Sequence, residues 1–258
     1  MWRDYHKTEY SVSDGVLYMK VAHPETAFAP PRDGEVDNVA YERIREYCRS
    51  KGIPARLCCV SKSTLGDIME MYPASKAWTD RAWSDYLYLS EDIVNLAGRR
   101  YSGQRNHINR FIRECPDWSF EQIGKDNSNA AMAFIGKLAL RNNDASFSFI
   151  EANRKALEVL DNLELYDQLG GALYAGGEIV GVSLGEIQGD TLFIHVEKAD
   201  TDYQGSYPML MNQFARMFAS GAVKYINREE DDGIEGLRVS KLSYHPVELL
   251  DKYMVELR

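Results

Sequence analysis

Four consecutive carboxylates stand in the segment Asn227-Arg228-Glu229-Glu230-Asp231-Asp232-Gly233, directly after a short apolar run that reads as a strand. Loops at strand ends in α/β sheets are where ligands and reacting groups collect. Glu229 or Asp231 placed there could accept a proton from an attacking nucleophile or bind an ammonium group. The same residues could equally form a solvated turn that caps the next helix, because acidic side chains complement the positive end of its dipole. The spacing is not that of a calcium loop, which alternates its oxygen ligands over about twelve residues.

Downstream come Arg238, Lys241, Tyr244 and His245-Pro246. A lysine or tyrosine near a reacting loop can stabilise a developing oxyanion or protonate a leaving group, whereas a lysine on a terminal amphipathic helix is usually just solvated. A third cluster is Arg99 to Arg113 (RRYSGQRNHINRFIR), with five arginines and no carboxylate in a chain of net charge −9. Helical periodicity from about Ser102 puts Ile108, Phe111 and Ile112 on one face and leaves Arg105, Asn106, Asn109, Arg110 and Arg113 on the flanks. Together with Arg99, these residues suit phosphate, which arginine grips through paired charge-assisted hydrogen bonds. The alternative is a helix whose arginines pair with the chain's surplus carboxylates. His107 reads as a structural residue, and His195, amid apolar strand neighbours, as part of the core.

The elements that must position these groups show a repeat. Gly171–Tyr174, Glu178–Ile187 and Thr191–Val196 read as strands joined by tight turns at Gly176-Gly177 and Gly189-Asp190. A helix from about Pro208 to Ser220 follows, then a strand at Ala222–Ile226 and a helix reaching toward Leu242. In the first half, Val16–Val21, Tyr41–Arg49, Ala55–Val60 and Ser63–Tyr72 repeat the order strand, helix, strand, helix at a nearly constant offset. That pattern predicts two copies of one α/β unit, 1–124 and 125–258, with the basic helix bridging them and a cleft between. A hairpin precedes the Thr191 strand, but only His6–Val12 precedes its counterpart, so the first copy is abridged at its N-terminus or Met1 is not the native start.

Composition is that of an ordinary globular protein, 45% hydrophobic and 27% charged over 258 residues. No window is apolar enough for a membrane span, and the N-terminus has no signal-peptide core. Cys48, Cys58, Cys59 and Cys115 lack ligand spacing, so reduced thiols in a cytoplasmic protein are expected rather than zinc or disulfides.

The order hairpin, long strand, glycine-containing turn, helix, strand, helix resembles the GNAT superfamily of N-acyltransferases. Two such units in tandem resemble the Fem-type peptidyltransferases. The motifs WRDYHKTEY, LAGRRYSGQRNHINRF and YINREEDDGIEGLRVSKLSYHPVELLDKY resemble, over nearly the whole chain, the family named for the C-terminal domain of phosphatidylglycerol lysyltransferases. The resemblance implies an aminoacyl- or acyltransferase in which an amine or hydroxyl acceptor attacks an activated ester. Glu229 or Asp231 would act as base or ammonium binder. Arg228, Lys241 and Arg105 would stabilise oxyanion or phosphate charge, with Asn227 and Tyr244 contributing to binding. Acetyl-CoA users hold pyrophosphate on a Gln/Arg-x-x-Gly-x-Gly/Ala turn. Here that turn reads Gln204-Gly205-Ser206-Tyr207-Pro208, whose proline removes an amide donor. Aminoacyl-tRNA is therefore favoured over acyl-CoA as donor, with tRNA as partner; a fold that binds RNA or another anion without catalysis is the non-enzymatic alternative. Lipid lysyltransferases carry many membrane helices, so a lipid acceptor transfers weakly to this chain.

Overall fold

The computed structural model describes residues 4–34, 37–141 and 147–258, which form two compact units, one of Met1–Asp85 with Leu250–Arg258 and one of Tyr86–Leu249. The first contains β1 (Glu9–Ser13), β2 (Val16–Val21), β3 (Ala27–Phe28), α1 (Asn38–Lys51), β4 (Arg56–Val60), α2 (Lys62–Met71) and β5 (Lys76–Thr79). Asp37 caps α1 by accepting from the amides of Val39 and Ala40, and Gly52 ends it in the left-handed region. Phe28, Ile44, Leu57 and Ile68 form the core of this unit.

The second unit runs through β6 (Asp85–Leu89), α3 (Ser90–Asn95), α4 (Ser102–Glu114), β7 (Ser119–Gln122), α5 (Ser128–Arg141), α6 (Phe147–Asp161), β8 (Leu169–Ala175), β9 (Glu178–Gln188), β10 (Thr191–Ala199), α7 (Ser206–Phe218), β11 (Tyr225–Asn227), α8 (Glu235–Leu242) and β12 (Glu248–Leu250). Its sheet has the order β12-β6-β11-β10-β9-β8-β7. Only the β10–β11 pair in the central part is parallel, because helix α7 carries the chain back between them. The middle of β9 is buried on both faces. One face packs Leu173, Val180, Leu210 and Phe214 with α4 and α7, the other Ala172, Val182 and Leu184 with α5 and α6.

The fold is α+β with two sheets, and its elements fall close to those predicted. The predicted boundary near residue 125 lies inside the second unit, and the basic helix α4 belongs wholly to that unit, packed on α7. The reason is an exchange of strands. The last strand, β13 (Tyr253–Glu256), lies between β4 and β5 in the first sheet, while β6 lies between β11 and β12 in the second. Each copy's final strand is thus built into the sheet of the other, at the offset that relates the other matched elements. Among the described residues, no helix is long and apolar enough to cross a membrane.

Candidate functional site

Strand β11 ends at Asn227 and delivers the acidic loop. Asn227, 2% exposed, accepts the Glu229 amide on its Oδ1 at 2.7 Å, which folds the chain back on itself. Glu229 and Asp232 both occupy the left-handed backbone region, at φ 54° and 50°. Such conformations cost a non-glycine residue on the order of 1–3 kcal/mol and persist only where the surroundings over-determine them. Lys241 on α8 supplies that constraint. Its Nζ donates to the carbonyls of Arg228 at 2.5 Å, Glu229 at 3.3 Å and Glu230 at 2.5 Å, so all three ammonium protons grip the loop backbone. Burial, then the Arg228 charge, lower its pKa to about 8, against the opposing pull of Glu197, Glu229 and Glu230.

Asp231 is fully buried and saturated. Arg238 donates to both its oxygens, Nε at 2.8 Å and Nη2 at 2.9 Å; the Tyr86 hydroxyl donates at 2.5 Å and the Gly233 amide at 2.9 Å. The Arg238 hydrogen bonds hold its carboxyl far below the usual range, against the effect of burial. A carboxylate so stabilised is a poor proton acceptor and a strong anchor. The geometry therefore gives Asp231 an anchoring role in place of the expected base, and gives Lys241 the role of a backbone clamp.

Arg228 points from the same loop into the unit. It is 8% exposed, bonded through Nε (2.9 Å) and Nη2 (2.7 Å) to one oxygen of Glu197, and lies 5.0 Å from the Tyr244 ring centre and 6.0 Å from that of Tyr88. Burial alone would lower the guanidinium pKa, but Glu197 outweighs it and the group stays charged. Burial raises the pKa of both tyrosines. Arg228 Nη1 and Glu197 Oε1 are buried without a hydrogen-bond partner, leaving one donor and one acceptor of this pair unspent.

The residue that sequence reasoning missed is His195. Its Nδ1 lies 2.7 Å from Glu229 Oε1, and its Nε2 lies 3.5 Å from Glu186 Oε1. Burial depresses the imidazole pKa, but the Glu229 hydrogen bond and charge, with Glu186, raise it overall. His195 is the extra residue of a β-bulge: Ile194 pairs with Gly185 and Val196 with Leu184, leaving nothing opposite it. Gly185 permits the bulge, since a Cβ there would sit 2.2 Å from the Phe193 carbonyl oxygen. The available signal was period-two alternation, which places His195 on one strand face with Glu197.

The phosphate candidates separate from this constellation. Arg105 donates to the carbonyls of Leu96 and Gly98, closing the end of α3. Arg110 pairs with Glu114 one turn on, at 2.7 Å. Arg99, Asn106 and Asn109 are exposed. The Gly205 turn before α7 is covered by α4: a Cβ on Gly205 would lie 2.2 Å from the His107 carbonyl oxygen. The Ser206 amide already donates to Tyr203, and Pro208 has none to offer.

A family model described as phosphatidylglycerol lysyltransferase, C-terminal, matches residues 1–256. A solved structure of a conserved protein of unknown function from Bacteroides thetaiotaomicron is 34% identical, superposes with a TM-score of 0.93, and covers 100% of this chain and 88% of that one. The C-terminal domain of a candidate lysylphosphatidylglycerol synthetase from Agrobacterium fabrum is 14% identical with a TM-score of 0.72, covering 98% of this chain and 84% of that one, and shares the fold. An uncharacterised protein of Mycoplasmoides gallisepticum is 26% identical over 178 residues, 67% of this chain and 56% of its own length, so the matched region spans little more than half of that relative. The two sheets and their helices are tandem GNAT-like units, with β2, α1, β4 and α2 of the first matching β10, α7, β11 and α8 of the second in order.

Proposed function

Since the chain belongs to the phosphatidylglycerol lysyltransferase C-terminal family, we propose that it is a lysyltransferase-like GNAT acyltransferase that moves an aminoacyl group from an RNA ester to an amine or hydroxyl acceptor. The observation that carries this reading is the His195–Glu229 contact of 2.7 Å beside the buried Arg228–Glu197 pair. With Nδ1–H donated to Glu229, the Nε2 lone pair accepts the acceptor's proton as its nitrogen or oxygen attacks the ester carbonyl. The acyl–acceptor bond forms, the ester C–O bond breaks, and the same proton returns to the departing ribose oxygen. Arg228 offsets the negative charge that builds on the carbonyl oxygen. Lys241 and Asp231 hold the loop in the strained shape that aims Glu229 at His195.

Coenzyme A fits the chain less well as donor. The turn that would cradle its pyrophosphate faces the His107 carbonyl, which repels an anion, and its first helical turn has few free amides. The test is incubation of the full chain with tRNA charged with radiolabelled lysine and a bacterial extract as acceptor source. Label leaving the RNA for another species, in wild type but not in His195→Asn or Arg228→Met, is the expected result. Label moving only from acyl-CoA would overturn the RNA-ester reading.

A further inference from the structure

A second place on the Tyr86–Leu249 unit has the chemistry of a binding site and shares no residue with the Arg228–His195 constellation. A cleft of about 440 Å³ opens between α4 and α7, bounded by the turn after α3 and by Trp118. That is within the range of roughly 300–1,000 Å³ in which small ligands and ligand fragments are held. Arg105 and Arg216 line it, and no carboxylate does, although the chain as a whole carries net charge −9. Arg105 is fixed by the Leu96 and Gly98 carbonyls, so its charge is built into the wall. Arg216 is exposed and makes no ion pair or hydrogen bond among the described residues. Asn109 and Gln213 add amide edges, while Trp118 and Ile112 give an apolar surface.

Guanidinium groups call for an anion, amides for a partner with donors and acceptors in one plane, and an indole for a flat face to stack on. A nucleoside phosphate offers all three. We propose that this cleft holds one nucleotide of an RNA strand, its phosphate on Arg216 and its base against Trp118. The assignment rests on the RNA-borne donor proposed above and names where part of that RNA is gripped. Contacts remote from the reacting ester hold substrate and transition state alike, so they act on KM rather than kcat.

The test is fluorescence anisotropy of labelled, uncharged tRNA with the full chain and three variants. Arg216→Glu should weaken binding at least tenfold, and Trp118→Ala by roughly fivefold or more. Lys137→Glu, the same charge change at an exposed position of α5, should leave binding unchanged. Circular dichroism confirms that each variant is folded. Equal weakening by Lys137→Glu, or wild-type affinity in Arg216→Glu, overturns the assignment. So does AMP binding as tightly as the RNA, which would give the cleft to a free nucleotide, or displacement of RNA by anionic lipid vesicles but not by unlabelled tRNA. The two proposals fail separately. RNA bound through Arg216 with no aminoacyl transfer sinks the reaction and leaves the cleft. Transfer by Arg216→Glu with unchanged KM sinks the cleft and leaves the reaction.

Discussion

Replacing Asp231 with asparagine separates an anchoring carboxylate from a catalytic one. The substitution keeps the size of the side chain but removes the charge, and turns one of its two accepting oxygens into a donor. Arg238 then loses one arm of its fork, and either Tyr86 or Gly233 faces an N–H instead of an oxygen. Hydrogen bonds to a charged group contribute about 1.5–3 kcal/mol each. The Arg238 side chain is 35% exposed, so water replaces part of what it loses. A net cost of about 2–3 kcal/mol is expected, which lowers the melting temperature by roughly 5–10 °C for a unit of this size. Scanning calorimetry between pH 8 and pH 3 reads the effect. Asp231 in the unfolded chain takes up its proton near pH 3.9, approximately the usual aspartate value. In the folded chain it does so well below that. The stabilisation is present above the unfolded pKa and lost as pH falls toward the folded one, so the gap between wild type and variant should hold from pH 8 to 5 and close under acid. An unchanged melting temperature combined with abolished transfer would refute the anchoring role and restore Asp231 as the base.

Three further outcomes follow from the same geometry. Gly205→Ala must fit a Cβ 2.2 Å from the His107 carbonyl at φ 87°, so urea denaturation should show a loss of at least about 2 kcal/mol; wild-type stability would mean α4 does not press on this turn. Lys241 deprotonates at about 8 when folded, against 10.5 as the ordinary value, so the unfolded chain binds more protons between those limits. Stability relative to Lys241→Met should therefore rise by up to about 3 kcal/mol as pH climbs through that window, and a flat difference would argue against a buried ammonium. Glu229→Gln should move the His195 imidazole titration, followed by NMR, to lower pH. Because the folded pKa is raised in wild type, His195 also stabilises the fold below its unfolded pKa of about 6.5, a contribution lost as pH rises through the folded value. An imidazole that titrates identically in both proteins would dissolve the dyad.

Local pattern carried the sequence reading a long way, and it failed where the partners of a residue come from distant strands. The hairpin β9–β10, helix α7 and the loop after β11 were all legible, because alternation, turn glycines and helical periodicity are properties of contiguous residues. The position of Lys241 near the acidic loop was legible too, but its work was not. Whether an ammonium is solvated or grips three carbonyls depends on burial depth, which α8 acquires only by docking. His195 was assigned to the core because its neighbours are apolar, and the bulge that turns it toward Glu229 is visible only in the register against Gly185. Charge and helical periodicity locate the basic helix but not the partners of its arginines, which the fold divides between helix capping, a surface ion pair and the α4–α7 cleft.

The strand exchange explains why the site resists a reading made one repeat at a time. Tyr86 and Tyr88 both lie on β6, the strand that sequence order assigns to the first copy. Tyr86 donates to Asp231, and Tyr88 donates to the Lys241 carbonyl at 2.9 Å while packing on Arg228. Both positions are fully buried, and β6 pairs with β11 so that Tyr88 lies opposite Ile226 and Leu87 opposite Asn227. The loop of the second copy is therefore held by aromatic groups of the first. Without β6, the second sheet would end at β11, Asp231 would lose Tyr86, and Arg228 would lose Tyr88, one of the two rings packed on it. The duplication thus reaches the acidic loop through the strand it exchanges, because the two tyrosines of β6 fix Asp231 and the end of α8.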